Sequence, residues 1–283
     1  MTEPQTPKLT RRAVGGLLFS GYAAAALAQS AEPVVTPEDG LIVEVIAYPA
    51  PDGFEMPAYV ARPQAPGPHP VVIVVSEIFG IHAYIEDVCR RLAHAGYAAI
   101  APAFFVRVDD PAPMTDFARI REVVAAASHE QVMGDVGAAL DWLADADWAS
   151  DRIGVTGFCW GGAVTWMAAA RFEVIDAGVA WYGRLAPPAE PDGEARPWPV
   201  DVAGELKAPV LGLYAGQDRG IALDTVEMMR AALAAGDDTG SEIVVYPEAS
   251  HGFHADYRVS YDAAAAEDGW RRLLAHFAVH LAG

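Results

Sequence analysis

The apolar residues of this chain fall into two alternating kinds of run. Val71-Val72-Ile73-Val74-Val75 is continuous and β-branched, with no polar residue at every second position. A strand buried on both faces of a parallel sheet reads this way, whereas a half-exposed strand would alternate. Shorter runs of the same kind stand at Tyr97–Ala101, Ile153–Thr156, Ala177–Tyr182, Val210–Tyr214 and Ile243–Tyr246. Helical spacing predicts helices between them, at about Tyr84–His94, within 114–146, at Gly162–Arg171, at 222–235, and at Ala263–Leu281. Ahead of this series, Leu41–Ile46 and Met56–Ala61 flank Pro51-Asp52-Gly53, a strand, turn and strand. Pro57 and Pro63 keep that hairpin at a sheet edge, since proline cannot donate to a central ladder. The pattern predicts an α/β fold: a mostly parallel twisted sheet, helices on both faces, and an N-terminal antiparallel edge hairpin. The proline-rich stretch 187–193 reads as a surface loop, because the alternation resumes after it.

The first 28 residues follow a different pattern. Arg11-Arg12 precede an apolar stretch, Ala13–Ala28, that is too short to span a bilayer and ends in Ala26-Leu27-Ala28. A basic start, a short apolar run and a small-residue end make an export signal, and the paired arginines after Thr10 resemble the twin-arginine type. The expectation is a cleaved signal over 1–28, a single domain over 29–283, a periplasmic or secreted location, and no stable membrane insertion once the signal is gone.

Charge narrows the function classes. The chain carries 19 Lys+Arg against 38 Asp+Glu, a formal net charge of −19. That sign opposes binding to a phosphate backbone or an anionic membrane, so nucleic acid is excluded as a partner. Two cysteines, Cys89 and Cys159, are too few for a disulfide scaffold or a four-cysteine zinc site, and no cofactor motif is present. Cys89 has helical spacing with Val88, Leu92 and Ala95 and reads as a small buried hydrophobe.

Cys159 is different. Gly157-Phe158-Cys159-Trp160-Gly161-Gly162 lies between a predicted strand and a predicted helix, in the form of a nucleophile elbow with cysteine at the nucleophile position. Glycines on either side allow a turn too tight for side chains, and the helix N-terminus favours thiolate over thiol. A phosphate-binding loop would need Lys-Ser/Thr after the glycines, and Ala163-Val164 stand there. An elbow nucleophile calls for an acid and a histidine in the order nucleophile, acid, histidine. Asp218, after the strand Val210–Tyr214, and His251, after the strand Ile243–Tyr246, meet that order at the carboxyl ends of strands. His254 and Asp224 are the nearest competitors. A weak metal site at His251, His254 and Asp256 is the alternative use of that loop.

With these residues in place, the chain resembles the dienelactone hydrolase (carboxymethylenebutenolidase) family of α/β-hydrolases. Besides the cysteine elbow, the resemblance rests on Ser76-Glu77-Ile78-Phe79-Gly80, on Gly96–Pro102, and on His251-Gly252-Phe253. It implies the α/β-hydrolase fold and hydrolysis of a lactone or small activated ester through a cysteine thioester, with no cofactor. It also implies that Glu77 contacts the resting cysteine and takes its proton, and that the backbone N–H groups of Ile78 and Trp160 form an oxyanion hole. Relatives hold a substrate carboxylate with arginines, one of them four residues after the histidine. Ala255 stands there, so Arg258, Arg107, Arg121 and Arg184 are the candidates. Trp160, Trp181, Tyr182 and Phe253 are candidates to line an apolar pocket. Two other readings compete: a thiol redox protein with Cys89 resolving Cys159, and a ligand-binding member of the fold without activity.

Overall fold

The structure, a computed structural model, describes residues 33–188, 195–236 and 240–282, so the predicted export signal lies outside the described residues. Eight strands form one sheet: β1 (Leu41–Pro49), β2 (Glu55–Pro63), β3 (His69–Val75), β4 (Ala98–Pro102), β5 (Ala149–Phe158), β6 (Ala177–Trp181), β7 (Val210–Ala215) and β8 (Glu242–Tyr246). Their order is β1-β2-β4-β3-β5-β6-β7-β8. β1 pairs antiparallel with β2 and β2 antiparallel with β4, and every later pairing is parallel. The principal helices are α1 (Ala83–His94), α2 (Phe117–Ala126), α3 (His129–Ala144), α4 (Trp160–Arg171), α5 (Leu223–Ala235) and α6 (Ala263–His280).

The predicted architecture is therefore observed, edge hairpin included. Val71 to Val75 are all fully buried. Successive strand residues point to opposite faces, so an unbroken buried run means that both faces of β3 are covered. Polar caps start the flanking helices: the side chains of Asp116, Ser128 and Asp262 accept from Ala118, Gln131 and Ala265 N–H at the heads of α2, α3 and α6. Among the described residues no helix is long and apolar enough to cross a membrane.

One feature of the strand order positions the site. From β3 the chain passes through α1 to β4 on one side, and then returns to lay β5 on the other side of β3. The connections leaving β3 and β5 thus diverge, opening a crevice at the carboxyl ends of these neighbours. Val75, the end of β3, pairs with Gly157 near the end of β5, which brings Glu77-Ile78 beside Cys159.

At the other edge of the molecule, Arg107 ties the hairpin to the helical layer. Its guanidinium makes a bidentate pair with Asp135 of α3, both bonds 2.7 Å, and reaches Asp52 in the β1–β2 turn at 2.8 Å. The Asp135 side chain is fully buried. Removing a single partner from such a pair leaves an uncompensated buried charge, which costs ~3–5 kcal/mol. Arg107→Ala is therefore expected to lower the unfolding free energy by about 3 kcal/mol, read from urea denaturation; a loss under about 1 kcal/mol would show that Asp135 finds other compensation.

Candidate active site

The strand-to-helix turn after β5 is built by close backbone approach. Cys159 has φ 56°, a left-handed conformation that costs a side-chain-bearing residue strain, and it caps the N-terminus of α4. Its N–H donates to Trp181 O at 3.0 Å, fastening the turn to the end of β6. A Cβ at Gly157 would lie 2.1 Å from Gly161 O, and one at Gly161 would lie 2.3 Å from Val75 O. Neither position can hold a side chain without moving backbone. The helix begins at Trp160, two residues earlier than its apolar periodicity indicates, because Gly161 and Gly162 form its first turn.

Cys159 is half-buried and points into a large pocket at the carboxyl end of the sheet, also lined by Ile78, Trp160, Asp218, His251 and Arg258. His251 Nδ1 lies 2.7 Å from Asp218 Oδ2, and Asp218 itself is held by Gly220 and Ile221 N–H on its other oxygen. Burial acts to lower the pKa of His251. The electrostatic influence of neighbouring Cys159 and the hydrogen bond to Asp218 outweigh it and push the imidazole up to about 10. Cys159, His251 and Asp218 are therefore brought together from the ends of β5, β8 and β7. The charged imidazole stabilises the fold fully below its ordinary value of 6.5, and that contribution is lost as the pH rises through about 10.

Ile78 N–H and Trp160 N–H donate to no other group of the described residues. Both border the Cys159 side of the pocket. Two free donors beside a nucleophile, one of them at a helix start, can receive a developing oxyanion.

Glu77 is fully buried, and its contacts differ from the one the resemblance implies. Tyr257 Oη donates to its Oε2 at 2.8 Å, Arg258 Nη1 donates to its Oε1 at 3.2 Å, and His82 Nε2 lies 3.6 Å away. No hydrogen bond joins Glu77 to Cys159. Burial acts to raise the Glu77 pKa, but His82, Arg258 and Tyr257 together hold it at about 2. A carboxylate so firmly ionised is a poor acceptor for a thiol proton.

Arg258 reaches the site by a route that spacing alone conceals. Gly252, at φ 77°, starts a series of turns in which Ala255 N–H bonds Gly252 O and Arg258 N–H bonds Ala255 O, each at 3.0 Å. These fold Arg258 back against Gly252, where a Cβ would lie 2.7 Å from its Nη1. An arginine seven positions after the histidine thus enters the pocket. The same loop is tied to α1 by the Arg91–Asp256 ion pair.

The other candidates sort clearly. Arg107 is committed to Asp52 and Asp135, away from the pocket, while Arg121 and Arg184 line it. Arg196 and Arg219, not singled out from the sequence, line it too. Trp160 and Tyr182 line it as expected, whereas Trp181 and Phe253 are fully buried and pack against each other in the core. Asp224 lies in the first turn of α5. His254 is buried, 2.6 Å from Tyr84 Oη through Nδ1. Burial drives its pKa well below the ordinary value. With His254 facing Tyr84 and Asp256 facing Arg91, the residues suggested for a metal site point to different partners. Cys89 is fully buried in α1, where burial raises its thiol pKa, and both cysteines are free. A resolving thiol must reach its partner, which a fully buried Cys89 cannot do from the core.

Comparison with known proteins gives consistent results. The sequence profile described as "Dienelactone hydrolase family" matches residues 56–281. A protein of Methylorubrum extorquens named "Putative carboxymethylenebutenolidase" is 46% identical over 272 residues, covering 95% of this chain and 92% of its own length. One of the same name from Escherichia coli K12 is 46% identical over 260 residues, covering 91% and 94%. A crystal structure from Klebsiella pneumoniae, "Putative Dienelactone Hydrolase", superposes with a TM-score of 0.79 at 48% identity, covering 84% of this chain and 98% of that one.

The His251 environment generates a titration with a defined sign. Its imidazole is expected to deprotonate at about pH 10 in the intact protein. In Cys159→Ala the midpoint should move down toward the ordinary histidine value, because the nearest negative charge is gone. Ring NMR shifts against pH would report this, and an unchanged midpoint would mean that Cys159 carries no charge beside it.

Proposed function

The chain belongs to the dienelactone hydrolase family of α/β-hydrolases, a lactone and ester hydrolase, and from that premise we propose that it works through a cysteine acyl-enzyme. The observation that carries the reading is the convergence of Cys159, His251 and Asp218 on one pocket, with His251 hydrogen-bonded to the Asp218 carboxylate. Cys159 Sγ attacks the substrate carbonyl carbon. Negative charge develops on the carbonyl oxygen, where Ile78 and Trp160 N–H groups are free to receive it. As the tetrahedral intermediate collapses, the carbon–oxygen bond to the leaving group breaks and the His251 imidazolium gives that oxygen its proton. A thioester remains. Water then attacks it while neutral His251 takes the water proton, and Cys159 leaves as thiolate, restoring the ion pair. Asp218, on Nδ1, fixes the tautomer that aims Nε2 at the reaction.

In this scheme Glu77 is a positioning residue. Its ionised carboxylate anchors Arg258 and Tyr257 beneath the pocket, so the loop that carries His251 keeps one arrangement. His251, already adjacent to the sulfur, supplies the base that the resemblance assigns to Glu77. The substrate is a small lactone or activated ester.

For the location we propose export by a twin-arginine-type signal over residues 1–28, read from Arg11-Arg12 and the short apolar run after them. Arg11→Lys with Arg12→Lys should leave the protein uncleaved and in the cytoplasmic fraction, whereas the parent sequence should give a periplasmic product lacking about 28 residues by intact mass. Equal distribution of the two would remove the signal reading.

The acyl-enzyme is tested by turnover of aryl esters and simple lactones with intact mass recorded during the reaction. Cys159 should gain and lose the mass of the acyl group, and Cys159→Ala should lose at least ~10³-fold in kcat/KM together with the adduct. Turnover that survives in Cys159→Ala would assign the chemistry elsewhere.

A further inference from the structure

We propose that the pocket has an apolar arm running from Cys159 along α4, between that helix and the α2–α3 corner, and that the arm takes the straight acyl chain of a medium-length carboxylic ester. The inference deepens the hydrolase reading above and rests on it.

Three helices wall the arm, each through one face. On α4, Trp160, Ala163, Val164 and Met167 border the pocket at i, i+3, i+4 and i+7, the spacing of a single helical stripe. On α2, Phe117, Arg121, Val124 and Ala125 border it at i, i+4, i+7 and i+8. His129 and Val132 of α3 do so at i and i+3. An apolar stripe of this kind ordinarily packs against another element. Here the α4 stripe borders a cavity of about 1240 Å³, larger than the ~300–1,000 Å³ that encloses a drug-sized ligand. Val132, Ala163, Val164 and Met167 are each less than a tenth exposed although they border it, so they line a recess and not an open shelf. Ile120 and Phe79 hold α2 at its height, in a small apolar cluster apart from the main core.

The direction of the arm follows from the order of elements. α3 packs on β1, β4 and β5, whereas Asp218 and His251 follow β7 and β8, on the opposite flank of β5. Glu130, beside His129, accepts from Arg171 at 2.8 Å, which sets the start of α3 at the end of α4 remote from Cys159. In the proposed reaction the leaving-group oxygen must face His251 to receive its proton, so the acyl side of the substrate is the side that points along α4. That chain stays on the sulfur in the thioester, and the arm therefore holds it through both halves of the reaction.

Length then sets the substrate class. Met167 lies eight residues beyond Cys159, about 12 Å along a helix that rises ~1.5 Å per residue. An extended carbon chain built from ~1.5 Å bonds at tetrahedral angles spans that distance in roughly eight to ten carbons. The preferred substrate is thus an activated ester of a straight-chain acid of about this length, its apolar chain leaving water as it enters the arm.

The test is a series of p-nitrophenyl esters of straight-chain acids, from acetate to dodecanoate, each assayed below the concentration at which it aggregates. The value of kcat/KM should climb by about threefold per added methylene, the gain expected from burying it, and level off near eight to ten carbons. A series that is flat, or that falls from acetate onward, would overturn the arm. Ala163→Phe places a ring about one helical turn from Cys159. It should lower the octanoate-to-acetate ratio by about tenfold or more, read within a variant whose melting transition matches the parent. Met167→Ala enlarges the far end and should move the optimum to a longer acid; it decides the matter where Ala163→Phe does not fold. A chain-length profile unchanged in the folded variant overturns the proposal. The hydrolase reading fails separately, by ester turnover that survives in Cys159→Ala. If no ester is cleaved, calorimetric titration of 1-octanol and 1-butanol reads the arm alone. Octanol bound about tenfold or more tightly, with the preference lost in the folded variant, supports it. Equal binding, no binding, or a preference that the variant retains overturns it.

Discussion

The structure depends on the close approach of three backbones at the end of β5. The turn carrying Cys159 fits only because Gly157 and Gly161 leave no room to spare, Gly161 resting on the carbonyl that ends β3. Gly162 meets the corresponding carbonyl of β6, at Trp181. The first turn of α4 is thereby wedged between the ends of its neighbours, and the strained Cys159 backbone cannot relax without lifting the helix off the sheet. This is how strain of a few kcal/mol is maintained: the surroundings over-determine it. Everything chemical follows from the position it gives the sulfur, above the sheet, at the N-terminus of a helix, and open to a histidine from β8.

The electrostatics of the site have two layers. The upper one consists of Cys159, His251 and Asp218, in which the imidazole meets the Asp218 carboxylate through Nδ1 and in the proposed mechanism gives and then takes a proton. Beneath it the buried Glu77 carboxylate gathers Arg258, Tyr257 and His82 around a fixed negative charge. Glu77 is ionised well below neutrality, and its contribution to stability, complete above its ordinary value of 4.5, fades only as the pH falls toward about 2. Arg258, partly exposed to the pocket, is paired with it. A mobile proton set on a fixed base suits a reaction whose two halves need the same histidine as acid and then as base. If the lower carboxylate titrated in the working range, the geometry of the upper layer would change with it.

Much of this was legible in the sequence, because the signals were local. An unbroken β-branched run states that both its faces are covered, and the glycine spacing around Cys159 states a turn that permits no side chains. The placement of Asp218 and His251 after strands followed from the order of elements. Illegible parts depended on how loops fold back. Spacing showed Ala255 where an arginine was sought, while the turns begun by Gly252 carry Arg258 in from seven positions away. Arg107 seemed as good a candidate as Arg121, since nothing in the chain announces that Asp52 and Asp135 will meet it at the opposite edge. Trp181 sits next to a pocket residue in sequence but one layer lower, because alternate residues at a strand end face opposite ways, and Phe253 is turned into the core by the loop after His251. Glu77 was found by resemblance, and its partners, 180 residues away in the chain, could be found only by folding it.

The acidity of the chain bears on how a cysteine could serve here. A thiolate in an open, water-filled cleft is exposed to oxidants and adventitious electrophiles as well as to substrate. Cys159 is instead half-buried, in a pocket that Trp160 and Tyr182 also line. The net negative charge of the chain disfavours approach of anions in general. The elbow is one fixed element, and the side chains that line the pocket around it come from other segments, which the close-packed turn at β5 leaves free to vary.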